Sequence, residues 1–381
     1  MKTETALVNE SNTRPIHGGD IDAVGRMYGL RPEELLDFSA SINPAGPPPG
    51  VLSKLAAALT DNRSFTQYPE PDCRSLRMDF AAYAGVDPDN VVVANGTAAL
   101  IDVTLRALKP KRCLIPVPAF SEYRRATSAA GCEYLPFVLD PAKQFILDTG
   151  AFAETMDKER CDLCILTNPH NPTGSLVPPA SLLRLLKKAG EQGATVLLDE
   201  AFIEYAIDAT LTRAAIDLPN VVVLRSVTKF YALAGMRVGF GVANAQLIKF
   251  LRLQVPSWPV TTLAASAAME SLIDMQYAEQ TRSSCTRERG FLSDALTQLG
   301  ITVGPSVANF LLLKLPAGSP SADSLWERLI REHHIVVRNC SSYEGLETDK
   351  FIRVAVKDRP PNLKLIHALK SILVAGAGVK T

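Results

Sequence analysis

The sequence lacks an excess of charge of either sign: 40 Lys and Arg stand against 40 Asp and Glu, a formal net charge of zero. Binding to nucleic acid or to an anionic membrane draws on a basic excess, so neither is expected as a partner, and any bound anion must be held by a local cluster. No apolar run approaches the roughly 18 residues needed to span a bilayer, and the opening Met1-Lys2-Thr3-Glu4-Thr5-Ala6 has no apolar signal segment, so a cytoplasmic protein is expected. The seven cysteines are an odd number scattered through a large chain, which argues against a disulfide framework. Cys161 and Cys164 have metal-ligand spacing, but no second such pair exists and both lie in a strand-like run. Buried reduced thiols are expected there, and no metal. Internal repeats and low-complexity tracts are also missing.

What is present is the composition of a globular protein with a large core, 47% hydrophobic and 21% charged over 381 residues. From residue 90 onward, short β-branched runs alternate with helical patterns, the signature of parallel βαβ units. Residues 91–94, 113–117, 163–166, 196–199 and 221–225 read as buried strands, and 97–108, 121–130 and 178–192 as helices between them. After Pro256-Ser257-Trp258-Pro259 the pattern changes to helices, strands at 309–315, 335–338 and 351–356, and a last helix near 362–373. An α/β fold is expected, with a large domain around a mainly parallel sheet and a smaller C-terminal α+β domain. The expected division is an N-terminal arm at 1–49, a large domain at 50–260 and a small domain at 261–381. Within the arm, a short helix near 20–28 precedes the Pro-rich Ile42-Asn43-Pro44-Ala45-Gly46-Pro47-Pro48-Pro49.

In an open parallel sheet, ligands sit beyond the carboxyl ends of the strands. Four of those ends carry polar chemistry. Asn95-Gly96-Thr97-Ala98 opens a helix with free N–H groups suited to a phosphate. Thr167-Asn168-Pro169-His170-Asn171-Pro172-Thr173-Gly174 is a turn that presents Asn171. Asp199-Glu200 puts an acid at the end of an apolar strand, where a carboxylate needs a cationic partner. Ser226-Val227-Thr228-Lys229 puts a lysine in apolar company, and desolvation lowers its pKa and makes it a nucleophile toward an aldehyde. An amine, a carboxylate, a ring-oxygen donor and a helix N-terminus are together what pyridoxal 5′-phosphate (PLP) requires.

Through Asn171-Pro172-Thr173-Gly174, Asp199-Glu200-Ala201, Ser226-Val227-Thr228-Lys229 and Arg237, the chain resembles fold-type I PLP-dependent enzymes, the aminotransferases and their relatives, over nearly its whole length. The resemblance implies a Schiff base on Lys229, Asp199 against the pyridinium and Asn171 on the ring oxygen. It sets Gly96, Thr97, Ala98, Ser226 and Arg237 around the phosphate, Phe120 stacked on the ring and Phe202 near the ring oxygen. Arg353 would meet the substrate carboxylate, Arg338 a distal phosphate, and His17 would close onto that phosphate. Tyr68, in Tyr68-Pro69-Glu70-Pro71, would reach the cofactor of a partner subunit, which implies a homodimer. Within the family the chain is most similar to the threonine-phosphate decarboxylases, which make aminopropanol phosphate for cobalamin, and then to the histidinol-phosphate aminotransferases. His17-Gly18-Gly19-Asp20, Leu36-Asp37-Phe38-Ser39-Ala40-Ser41-Ile42-Asn43-Pro44 and Phe202, where the aminotransferases usually have tyrosine, favour the decarboxylases. Gly96-Thr97-Ala98 departs from the Gly-Glu-Thr expected at that turn. A competing reading, an acyl hydrolase, rests on Ser226-x-x-Lys229, but neither Ser-Asp-Asn nor Lys-Thr-Gly occurs elsewhere.

Overall fold

The computed structural model describes residues 18–346 and 348–377, the side chains of 374–377 apart. A short strand, β1 (Leu36–Asp37), follows the helix Ile21–Tyr28, for which Asp20 is the N-cap. Seven strands then form the main sheet: β2 (Val91–Ala94), β3 (Arg112–Val117), β4 (Glu133–Val138), β5 (Leu163–Thr167), β6 (Thr195–Asp199), β7 (Val221–Ser226) and β8 (Gly239–Val242). Their order is β2-β8-β7-β6-β5-β3-β4, and β8 alone runs against its neighbours. Both the central strand β7 and the terminal strand β2 are buried at every position, because helices cover both faces.

Five of these strands agree with the sequence reading to within a residue or so, and two were missed. Strand β4 sits at the sheet edge, where none of its side chains is fully buried, and it contains Pro136, which an edge tolerates. Its apolar residues are interrupted by Pro136, which argues against a strand when the sequence is read alone. Strand β8 is Gly-Phe-Gly-Val, and its glycines hide it from propensity. Packing requires them: a Cβ on Gly239 would stand 2.8 Å from the Thr97 nitrogen, and one on Gly241 would stand 3.0 Å from Val92 Cγ1.

The second region contains β9 (Thr302–Val303), β10 (Phe310–Lys314), β11 (Ile335–Val336), β12 (Arg338–Asn339) and β13 (Phe351–Ala355). The single strand expected at 335–338 is in fact two. Strand β11 pairs in parallel with β1, whereas β12 pairs with β13 in the sheet β12-β13-β10-β9. The break falls at Val337, whose carbonyl accepts a 3.0 Å hydrogen bond from Trp326 Nε1 instead of a ladder bond.

Within the expected arm, Val24, Leu35 and Phe38 are buried in one cluster with Leu311, Leu329 and Ile352. The helix Thr262–Leu272 in turn buries Ala264, Ala267 and Ala268 with Phe80 and Phe240 of the main-sheet side. The division at 49/50 and 260/261 stands as a proposal about folding units. Among the described residues, no helix is long and apolar enough to cross a membrane. All seven cysteines are free, and Cys161 and Cys164 are buried at the start of β5.

Candidate active site

The carboxyl ends of β5, β6 and β7 and the N-terminus of the helix Gly96–Leu108 open into a cavity of about 410 Å³. It is lined by Gly96, Thr97, Ala98, Phe120, Asn171, Asp199, Phe202, Ser226, Lys229, Arg237, Arg338 and Arg353. Of the remaining sequence candidates, His17 lies outside the described residues, although its neighbour Gly18 reaches the cavity wall. Tyr68 lies away from the cavity, 83% exposed, with its ring 5.0 Å from that of Trp258.

Asp199 is only 4% exposed, and burial pushes its carboxyl above the ordinary range. Two donors oppose that push: the Tyr123 hydroxyl at 2.8 Å and the Ala201 N–H at 2.9 Å. No cationic side chain among the described residues pairs with it. Tyr123 is fully buried and also bonds Thr167 Oγ1 at 2.8 Å. Sequence reasoning missed it, because a tyrosine one turn into the helix Ser121–Ala129 looks like any core aromatic. The adjacent Glu200 turns away from the cavity and accepts bonds from Thr210, Thr212 and the Leu211 N–H.

Lys229 follows β7 by three residues, and its pKa falls to about 8. Burial is the main cause, and the positive charges of Arg353 and Arg237 add to it. The Ser226 hydroxyl bonds Thr228 Oγ1 at 2.7 Å and accepts from the Thr228 N–H at 3.2 Å. It makes no bond to Lys229, so the serine–lysine pair that an acyl hydrolase needs is not formed.

At the other wall, Gly96 has φ +78°, and a Cβ there would stand 2.7 Å from Arg237 Nη2. Arg237 itself holds a left-handed φ of 55°. This brings a guanidinium, the Ser226 hydroxyl and the first N–H groups of a 13-residue helix around one space. Such a cradle suits a phosphate on charge and on donor geometry. Phe120 precedes the helix Ser121–Ala129 and meets Tyr123 edge-on at 5.6 Å. Phe202 packs edge-on against Phe310 at 4.9 Å.

Asn171 and Arg353 are joined: Arg353 Nη1 donates to Asn171 Oδ1 at 2.6 Å, and Nη2 donates to the Ser39 carbonyl at 2.9 Å. Arg353 Nε is buried with no partner among the described residues. Arg338 donates to Ser342 Oγ at 3.2 Å, with its guanidinium carbon 5.1 Å from the centre of the Tyr343 ring. His170 is buried in the turn after β5, bonded to Thr173 and held neutral by burial, its pKa down at about 4.

These residues fit PLP. A buried carboxylate without a cation awaits a protonated ring nitrogen, a depressed lysine awaits an aldehyde, and a cradle that a Cβ would fill awaits a phosphate.

The family model for "Aminotransferase class I and II" matches residues 33–369. Among curated relatives, the chain is 34% identical to the threonine-phosphate decarboxylase of Salmonella typhimurium over 94% of this chain and 96% of that one. It is 30% identical to the histidinol-phosphate aminotransferase of Methanocaldococcus jannaschii, over 90% of each. Among solved structures, the L-threonine-O-3-phosphate decarboxylase from Porphyromonas gingivalis superposes with a TM-score of 0.77 at 27% identity, covering 88% of this chain and 99% of that one.

Proposed function

Because the chain belongs to the class I and II aminotransferase family and uses PLP, we propose that it decarboxylates a small phosphorylated amino acid in the cytoplasm, as a homodimer. The substrate is L-threonine O-3-phosphate or its close relative serine phosphate, and the threonine product is an aminopropanol phosphate. The observation that carries this reading is that Arg338 and Arg353 open into the same cavity as Lys229. Two anion-binding guanidiniums suit a substrate with two anionic ends, a carboxylate and a phosphate. The resemblance to the Salmonella enzyme over nearly the whole chain supports the same choice.

When bound, PLP accepts into its ring the electron pair of the α-carbon bond that breaks. Asp199 keeps the ring nitrogen protonated, and Tyr123 fixes the carboxylate that does so. Gly96, Thr97, Ala98, Ser226 and Arg237 would hold the cofactor phosphate, while Phe120 would cover the ring and Asn171 would bond the ring oxygen. Arg353 and Arg338 hold the substrate at its two ends, so that the orientation of the α-carbon follows from the spacing of two fixed charges. Phe202 brings no hydroxyl to the ring oxygen. Lys229 Nζ returns a proton to the α-carbon after carbon dioxide leaves. His17 would close over the distal phosphate, and Tyr68 would serve the partner's site.

The decisive measurement is incubation with threonine phosphate in the absence of any keto acid. A decarboxylase needs no second substrate to regain its starting state, so carbon dioxide and aminopropanol phosphate should accumulate through many turnovers. Activity seen only with histidinol phosphate plus 2-oxoglutarate would replace this reading with the aminotransferase. Arg338→Ala should raise KM for threonine phosphate by about ten- to a hundredfold, since a hydrogen bond to a charged group contributes about 1.5–3 kcal/mol.

A further inference from the structure

Residues 340–346, between β12 and β13, leave the small-domain sheet and lie against the large domain. The approach is close: a Cβ on Gly345, which has φ +82°, would stand 3.3 Å from the Val117 carbonyl oxygen at the end of β3. Next to it, Glu344 Oε2 accepts a 2.9 Å hydrogen bond from the Tyr134 hydroxyl on the edge strand β4. The same oxygen lies 3.5 Å from Arg124 Nη1 on the helix Ser121–Ala129, and the Arg124 guanidinium lies 5.2 Å from the centre of the Tyr134 ring. The two residues before Glu344 face the other way: Tyr343 lies beneath the Arg338 guanidinium, and Ser342 accepts its hydrogen bond. A side cavity of about 130 Å³ under this loop shares Phe120, Ser121, Tyr123, Arg338 and Tyr343 with the main one. Three consecutive side chains therefore join Arg338 to the opposite domain.

We propose that Glu344, through Tyr134 and Arg124, is a positioning residue that sets where Arg338 presents its guanidinium to the distal anion of the substrate. The proposal rests on the reading of Arg338 as the phosphate anchor. Arginine loses much rotamer freedom when it is held in one geometry, and a loop already fastened at its far end has met that cost before the ligand arrives. The two fastenings are unequal. Arg124 is 67% exposed, so its ion pair is well screened, whereas the Tyr134 side chain is half-buried and its hydroxyl donates to a charge at 2.9 Å. Loss of Tyr134 should therefore matter more than loss of Arg124. Arg124 also offsets the negative charge that Glu344 would otherwise hold near an incoming phosphate.

The test uses the cofactor-loaded enzyme and compares KM and kcat for threonine phosphate and for plain threonine. Glu344→Gln and Tyr134→Phe, one on each domain, should each raise KM for threonine phosphate about tenfold, equivalent to about 1.4 kcal/mol. Arg124→Ala should raise it less. The cofactor absorbance, the KM for threonine and the melting temperature should stay near those of the parent. In an Arg338→Ala background, Glu344→Gln should add nothing, because the group it positions is gone. An unchanged KM in both variants, an equal rise for threonine, or full additivity with Arg338→Ala would each overturn the positioning role while leaving the phosphate anchor in place. If Arg338→Ala itself leaves threonine phosphate and threonine undistinguished from the parent, the anchor reading fails and the role of Glu344 falls with it.

Discussion

A buried carboxylate facing no cation is costly, and among the described residues Asp199 is held in that condition by a tyrosine hydroxyl and a backbone N–H alone. Its position at a strand end was legible in the sequence. The group that steadies it was not, because only the packing of the helix Ser121–Ala129 against β5 and β6 brings the Tyr123 hydroxyl to it. Tyr123→Phe removes a bond that favours the anion, so the Asp199 pKa, already raised, should climb further. Since Asp199 must be ionised to hold a protonated ring nitrogen, cofactor release on acidification should begin at a higher pH in the variant, as followed by the visible absorbance. Lys229 gives the complementary case. Its pKa of about 8 lies below the usual lysine value, so the neutral, nucleophilic form gains as pH rises through that value. The rate at which cofactor-free protein captures PLP should rise with pH with its midpoint near 8, where half of the amine is neutral, and level off about one pH unit higher. Lys229→Ala should lose the absorbance band and turnover while keeping the parent's circular dichroism. Retention of both band and activity would refute the assignment.

At the level of elements, legibility followed burial and composition together, since the fully buried β8 is half glycine. Strands buried on both faces announce themselves as β-branched runs, and the five read from the sequence are of that kind. The edge strand β4 and the glycine-rich β8 have their reasons outside themselves, in solvent on one side and in a crossing helix on the other. The helix starting at Gly96 was legible as a phosphate turn, but its dependence on Gly239 and Arg237 was not, because those residues lie far along the chain. Gly96→Ala places a side chain at φ +78° and within 2.7 Å of Arg237 Nη2. The left-handed conformation alone costs about 1–2 kcal/mol in a non-glycine residue. Displacing Arg237 should also weaken PLP binding by about tenfold or more, given about 1.5–3 kcal/mol for a charge-assisted bond. Thermal melting and a cofactor titration would read the two effects separately.

At the scale of the whole molecule, Tyr68 is the candidate that its own cavity does not explain. It stands exposed against Trp258, and the homodimer reading gives it a task on the partner. Mixing inactive Tyr68→Ala and Lys229→Ala proteins should restore part of the activity, since one site of a hybrid dimer then carries neither lesion. Failure of recovery despite demonstrated subunit exchange would count against the shared site. The cluster around β10 and β13 draws on both ends of the sequence, with Val24, Leu35 and Phe38 beside Leu311 and Ile352. The pairing of β1 with β11, Leu36 against Ile335, also bears on how the protein is made. Ser39 and Ser41, which follow β1 and line the cavity, depend on a strand that leaves the ribosome only after the whole main sheet. The large domain can begin to fold while translation continues, but contacts this distant in sequence form late. Until residue 335 has emerged, Leu35 and Phe38 have no core to enter, so a prematurely terminated chain would expose apolar surface and lack a complete cavity.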